Sequence, residues 1–137
     1  MKTININGKD YTVEELTSIL ENAKTISPMD KVFAYHNTTE EEFNKLYKKL
    51  PKATKYTEIE AMIVAYKNQG WTPDWNNSNE PKYFPYFTMG SSFGFYDCYF
   101  WFAGSYVGSR FCFKSLELLK EAVEEFLPQY KLSRLTH

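Results

Sequence analysis

The sequence predicts an α+β fold: a helical N-terminal half packed on a small antiparallel β-meander and closed by a C-terminal helix. Three observations predict it. Residues 1–70 carry helix-cap signals followed by apolar stripes at helical spacing. Sixteen of the 25 aromatic residues fall within residues 71–113, where short aromatic runs are separated by turn residues. Ser115 then opens a last amphipathic stripe. At 137 residues and 16.1 kDa, with 43% hydrophobic and 24% charged residues, the chain is expected to form one domain, 1–137.

Ile4 and Ile6, the pair Asn7-Gly8, and Tyr11 suggest a short strand or hairpin with a tight turn. Thr12-Val13-Glu14-Glu15 is a capping box, in which the Thr hydroxyl takes a free N–H and the Glu side chain reaches back. The helix it starts puts Val13, Leu16, Leu20 and Ala23 on one face. Ser27-Pro28 breaks it, and residues 30–37 read as helix. Thr39 and the acidic run Glu40-Glu41-Glu42 begin a helix with Phe43, Leu46, Tyr47 and Leu50 as its stripe, stopped by Pro51. Thr57 to Glu60 cap another, with Ile59, Met62, Ile63 and Tyr66 inward and Gly70 as the stop.

Residues 71–81 form a loop by their Trp, Pro, Asn and Asp content. Residues 83–88 read as a strand and Gly90-Ser91-Ser92 as a turn. Residues 95–102 and 107–113 read as a hairpin around Gly104-Ser105. Ser115 caps a helix carrying Leu116, Leu119, Val123 and Phe126, ended or kinked near Pro128.

That hairpin has two faces. Cys98, Phe100, Phe102, Val107, Phe111 and Phe113 make the apolar one, expected in the core. The other carries Asp97, Tyr99 and Trp101 across from Cys112, Arg110 and Gly108, with Tyr99 opposite Arg110 and Asp97 diagonal to it. A cation, an acceptor and two flat rings could hold a planar or anionic ligand, or could be a structural pair among cross-strand aromatics. Asp74 and Trp75 offer either a binding lip or a plug for their loop. Cys98 and Cys112 fall on opposite faces, so no disulfide is expected between them.

Composition excludes several classes. Sixteen Lys and Arg against 17 Asp and Glu lack the basic excess of a nucleic-acid coat. Residues 71–137 hold six basic against seven acidic side chains, so the aromatic platform of a single-strand binder is present without its basic groove. No apolar run is long enough to span a membrane, and residues 1–8 lack the apolar core of a signal peptide. With His36 and His137 as the sole histidines, a three-histidine zinc site is impossible and no metal or cofactor is expected. No phosphate-binding or metalloprotease motif occurs.

Two segments carry a resemblance. One runs Tyr66-Lys67-Asn68-Gln69-Gly70-Trp71-Thr72-Pro73-Asp74-Trp75-Asn76-Asn77 and continues at Lys82-Tyr83-Phe84-Pro85-Tyr86-Phe87. The other is Tyr106-Val107-Gly108-Ser109-Arg110-Phe111-Cys112-Phe113-Lys114-Ser115 before a helix. Together they resemble a group of small uncharacterised proteins from phages and mobile elements of gut bacteria, whose members carry GW-x-PDW-x(n)-KYYPWF and VGSR-[LF]-CFKS segments. The likeness covers roughly residues 59–130 and leaves residues 4–50 unmatched. Phe84 and Tyr86 stand where the pattern has Tyr and Trp. The resemblance implies a phage or mobile-element product acting in the cytoplasm of a bacterial host or carried in a virion, and it brings no activity. Arg110 and Asp74 lie within its motifs.

The expected function is therefore a non-enzymatic accessory binding protein that docks a protein partner or sequesters a small planar or anionic ligand, with interference in host defence as one form. A structural virion or assembly component, a homo-oligomer, a single-stranded nucleic-acid binder and a small enzyme using His36, Asp97 or Asp74 are the alternatives.

Overall fold

The computed structural model describes residues 2–137, without the side chains of residues 22–25. Its first unit is a hairpin of β1 (Thr3–Ile6) and β2 (Lys9–Thr12), with Ile4 opposite Tyr11. Asn7 at φ 52° and Gly8 at φ 85° supply the two left-handed positions that the tight hairpin turn requires. The Thr12 hydroxyl accepts the Glu15 N–H and starts α1 (Val13–Thr25). The expected inward stripe of α1 does not face the core. Val13 and Leu20 are exposed and Leu16 is half-buried, while the Ala23 side chain lies outside the described residues. Periodicity tells which residues share a face; it does not tell whether anything covers that face. Here α1 packs chiefly along β2.

Ser27 and Asp30 form a full capping box for α2 (Pro28–Tyr35), with Pro28 in the first turn. Thr39 caps α3 (Glu40–Tyr47) by accepting the Glu42 N–H. Phe43 is buried and Tyr47 half-buried, but Leu46 and Leu50 are exposed. The next helix, α4 (Lys52–Asn68), begins five residues before the expected Thr57 cap. Pro51 occupies the cap position, and Thr57 is an exposed residue inside the helix. Proline stops one helix and opens the next because its missing N–H costs nothing in a first turn. Residues 59–64 are all buried, so α4 is covered on more than one side, by α2 and by the C-terminal helices. Gln69 at φ 49° and Gly70 at φ 89° end it.

β3 (Lys82–Thr88) and β4 (Gly94–Trp101) form the second antiparallel sheet, joined through a 3₁₀ turn at Gly90–Ser92. Tyr83 pairs with Phe100, Phe84 with Tyr99, Pro85 with Cys98 and Tyr86 with Asp97. A bulge follows, so Phe87 pairs with Phe95 and Tyr96 is the extra residue.

Residues 107–113 do not form the expected strand beside β4. They contain a 3₁₀ turn at Ser109–Phe111 and reach the sheet by one bridge, between Phe113 and Tyr83 of β3. The bridge exchanges both bonds, at 3.2 and 2.7 Å. Pro85 explains why the pairing stops. Tyr83 turns its N–H and C=O away from β4, so the next outward donor on β3 belongs to residue 85, and proline has none.

Ser115 caps α5 (Leu116–Glu125), and α6 (Leu127–Leu135) follows with Pro128 in its first turn. The core joins both parts of the chain: Val32, Ile63, Val64, Phe113, Leu119 and Phe126 are all buried together. Phe87 brings the inner face of the sheet to it, with its ring 5.2 Å from that of Tyr130. The fold is α+β, with helices against one face of the β3–β4 sheet.

Candidate functional site

Register places Lys82, Phe84 and Tyr86 beside Trp101, Tyr99 and Asp97 on the outer sheet face. One end of this face is closed. The Lys82 ammonium is buried, donates to the carbonyls of Asn77 and Phe102 at 2.8 and 2.6 Å, and lies 5.4 Å from the Trp75 ring. Glu80 balances its charge at 3.6 Å. The Trp75 indole donates to the Ser109 hydroxyl at 2.7 Å. These contacts tie residues 71–81 and 102–109 to each other.

The other end is open. Tyr86, Tyr96 and Tyr99 are 52%, 65% and 44% exposed, and Tyr86 meets each of the other two edge to face. Their ring centres are 5.8 Å apart for Tyr86 and Tyr96 and 5.4 Å for Tyr86 and Tyr99. Tyr99 also stacks over buried Phe84. Exposed Trp101 contacts exposed Tyr106. Asp97, Tyr99 and Trp101 thus share a face as expected, with Tyr86 and Tyr96 added to it.

The free edge of β4 is guarded. Because the Tyr83–Phe100 pair makes no bonds across the sheet, alternation leaves Cys98 pointing its N–H outward. The Asp97 carboxylate accepts that N–H at 2.8 Å. A charged side chain over an edge donor discourages another strand from pairing there.

Arg110 is not opposite Tyr99. The 3₁₀ turn carries it over α4, where its guanidinium donates to the Glu58 carboxylate at 2.6 Å. The pairing expected for it required residues 107–113 to be a strand next to β4. Arg110 instead borders a cleft of about 230 Å³ with Glu58, His36, Met62, Trp71 and Ser109. The His36 ring donates from Nε2 to the Met62 carbonyl at 2.9 Å, since a carbonyl only accepts, and this fixes its tautomer. Burial raises the Tyr47 phenol above its usual value; the nearby Glu58 carboxylate adds to this and Arg110 opposes it.

Asp74 braces its loop. It accepts the Asn76 N–H at 3.0 Å, and its own N–H donates to Glu80 at 2.8 Å. The half-buried Trp75 helps to brace the same loop through its indole bond to Ser109. Sequence reasoning missed Glu58, Tyr86 and Asn68. Buried Asn68 donates to the Cys112 carbonyl and accepts the Lys114 N–H, so it fastens the segment after Arg110 to the end of α4. Nothing in the local sequence marks that role, because its partners lie 44 and 46 residues away. Cys98 and Cys112 are free thiols; burial raises the Cys112 thiol, while Ser105 and Lys82 oppose the shift.

Among the described residues, no three His, Cys, Asp or Glu side chains converge as metal ligands, and no helix is long and apolar enough to cross a membrane. No family model matches the chain, and neither a curated protein nor a solved structure matches it.

Proposed function

We propose that this protein is a non-enzymatic binding module that docks a protein partner through the outer face of β3 and β4. One observation carries the reading: Tyr86, Tyr96 and Tyr99 form a contiguous exposed cluster on a sheet, next to an acidic side chain. Tyrosine offers a large contact area and a hydroxyl while losing few rotamers on binding. Such residues dominate interface hot spots. Asp97 gives the partner's Lys or Arg a place to land.

The resemblance of the motif segments supplies the setting of the proposal: a phage or mobile-element accessory protein in a bacterial cell or virion, with a host-defence factor as partner. The test is quantitative retention of bacterial proteins on the immobilised chain. A specific partner retained by the wild type is expected to be lost from Tyr96→Ala and Tyr99→Ala and kept by Lys120→Ala on α5. Equal retention by all three variants would refute the assignment of this face.

Self-assembly is a second reading, favoured by exposed Ile4, Ile6, Val13, Ile19 and Leu20 on the N-terminal unit. Sedimentation velocity across a concentration series decides it. A mass that stays at 16.1 kDa at every concentration removes it.

A further inference from the structure

An ion pair made through a single contact leaves bonding capacity on both partners. Arg110 uses one N–H to reach one oxygen of Glu58. A guanidinium has five such donors and a carboxylate has two oxygens. Side-chain exposures of 59% for Arg110 and 28% for Glu58 keep that remaining capacity reachable. The two charges cancel, so neither a free anion nor a free cation finds an uncompensated partner there.

The rest of the cleft has two characters. Met62 and Trp71 give it apolar and flat wall surface. Around them, Ser109 accepts the Trp75 indole N–H and keeps its own hydroxyl hydrogen to donate. His36, held by its Nε2–H, keeps the Nδ1 lone pair to accept. At about 230 Å³ the cleft is smaller than the roughly 300–1,000 Å³ typical of pockets for drug-sized ligands, so it suits one ring system.

We propose that this cleft binds a neutral, flat heterocycle bearing a ring N–H beside a carbonyl, the edge presented by uracil- and guanine-type bases. The N–H donates to the unused Glu58 oxygen and the carbonyl accepts from Arg110. The ring lies along Trp71 and Met62. This site is separate from the tyrosine face, and neither proposal depends on the other.

The test is a calorimetric titration of the full chain with uridine and with guanosine, repeated with 3-methyluridine and with benzoate. Saturable binding of a nucleoside at one site per chain is expected. 3-Methyluridine, which lacks the N–H, should bind about tenfold more weakly, the loss expected of one hydrogen bond. Arg110→Ala removes an exposed side chain and should abolish the binding while the melting temperature holds. The methylated ligand is tested on the wild type, so that comparison stands even if the variant folds poorly. Absence of saturable binding by both nucleosides at millimolar concentration would overturn the proposal. So would equal binding of 3-methyluridine, or benzoate binding as tightly as uridine.

Discussion

Tyr130 is fully buried in the core, and its hydroxyl has no hydrogen-bond partner among the described residues. A buried, unsatisfied hydroxyl costs about 1–3 kcal/mol. Tyr130→Phe keeps the ring against Phe87 and removes the oxygen. The variant is expected to gain on the order of 1 kcal/mol in urea unfolding, within that range; a loss of stability would contradict this account. Burial also pushes the Tyr130 phenol well above its ordinary value of 10.0, with Glu60 adding to the shift and Arg134 opposing it. The folded value lies above the unfolded one, so the contribution is fully present below pH 10 and is lost as pH rises beyond it. The wild type should therefore lose stability above pH 10 more steeply than Tyr130→Phe, which alkaline melting curves would compare.

At the scale of elements, the β3–β4 sheet shows how one side chain and one missing donor set the limits of a sheet. Pro85 removes the donor that a third strand would need beyond the Tyr83–Phe113 bridge. Asp97 covers the Cys98 N–H on the opposite edge. The sheet is thus held at two strands from both sides. Asp97→Ala uncovers an edge flanked by exposed Tyr96 and Phe100. It is expected to raise concentration-dependent self-association in size-exclusion chromatography. An elution profile like that of the wild type would mean that Asp97 is not the guard.

Over the whole molecule, the middle of the core helix α4 and the last turn of α6 are joined by an ion pair whose carboxylate is buried. Glu60 is buried and its carboxylate accepts from Arg134 at 2.6 and 3.0 Å and from Ser133 at 2.6 Å. These partners are 73 and 74 residues apart in sequence. Arg134→Met strands a carboxylate in the core, and about 3–5 kcal/mol of stability should go with it. Adding Glu60→Leu should restore most of the loss, because a well-packed apolar pair can match a buried ionic one. A double variant no more stable than Arg134→Met would show that the pair contributes more than mutual compensation.

The local features were legible from neighbouring residues alone. Caps at Thr12, Thr39 and Ser115, the turn at Asn7-Gly8 and the stops at Pro51 and Gly70 are short-range chemistry, and they lie where their residues put them. The grouping of Asp97, Tyr99 and Trp101 on one face was also legible, since alternation along one strand needs no partner. What depends on distant contacts was decided only by the tertiary structure. Residues 107–113 have a strand-like composition, but the proline of another strand withholds the donor they would pair with. Arg110 therefore meets Glu58, 52 residues away, instead of Tyr99. The stripe of α1 is amphipathic and stays largely uncovered, because a helical period fixes only a direction. A strand partner, a salt-bridge partner and a covering surface are each supplied by residues remote in the chain, and no local pattern encodes them.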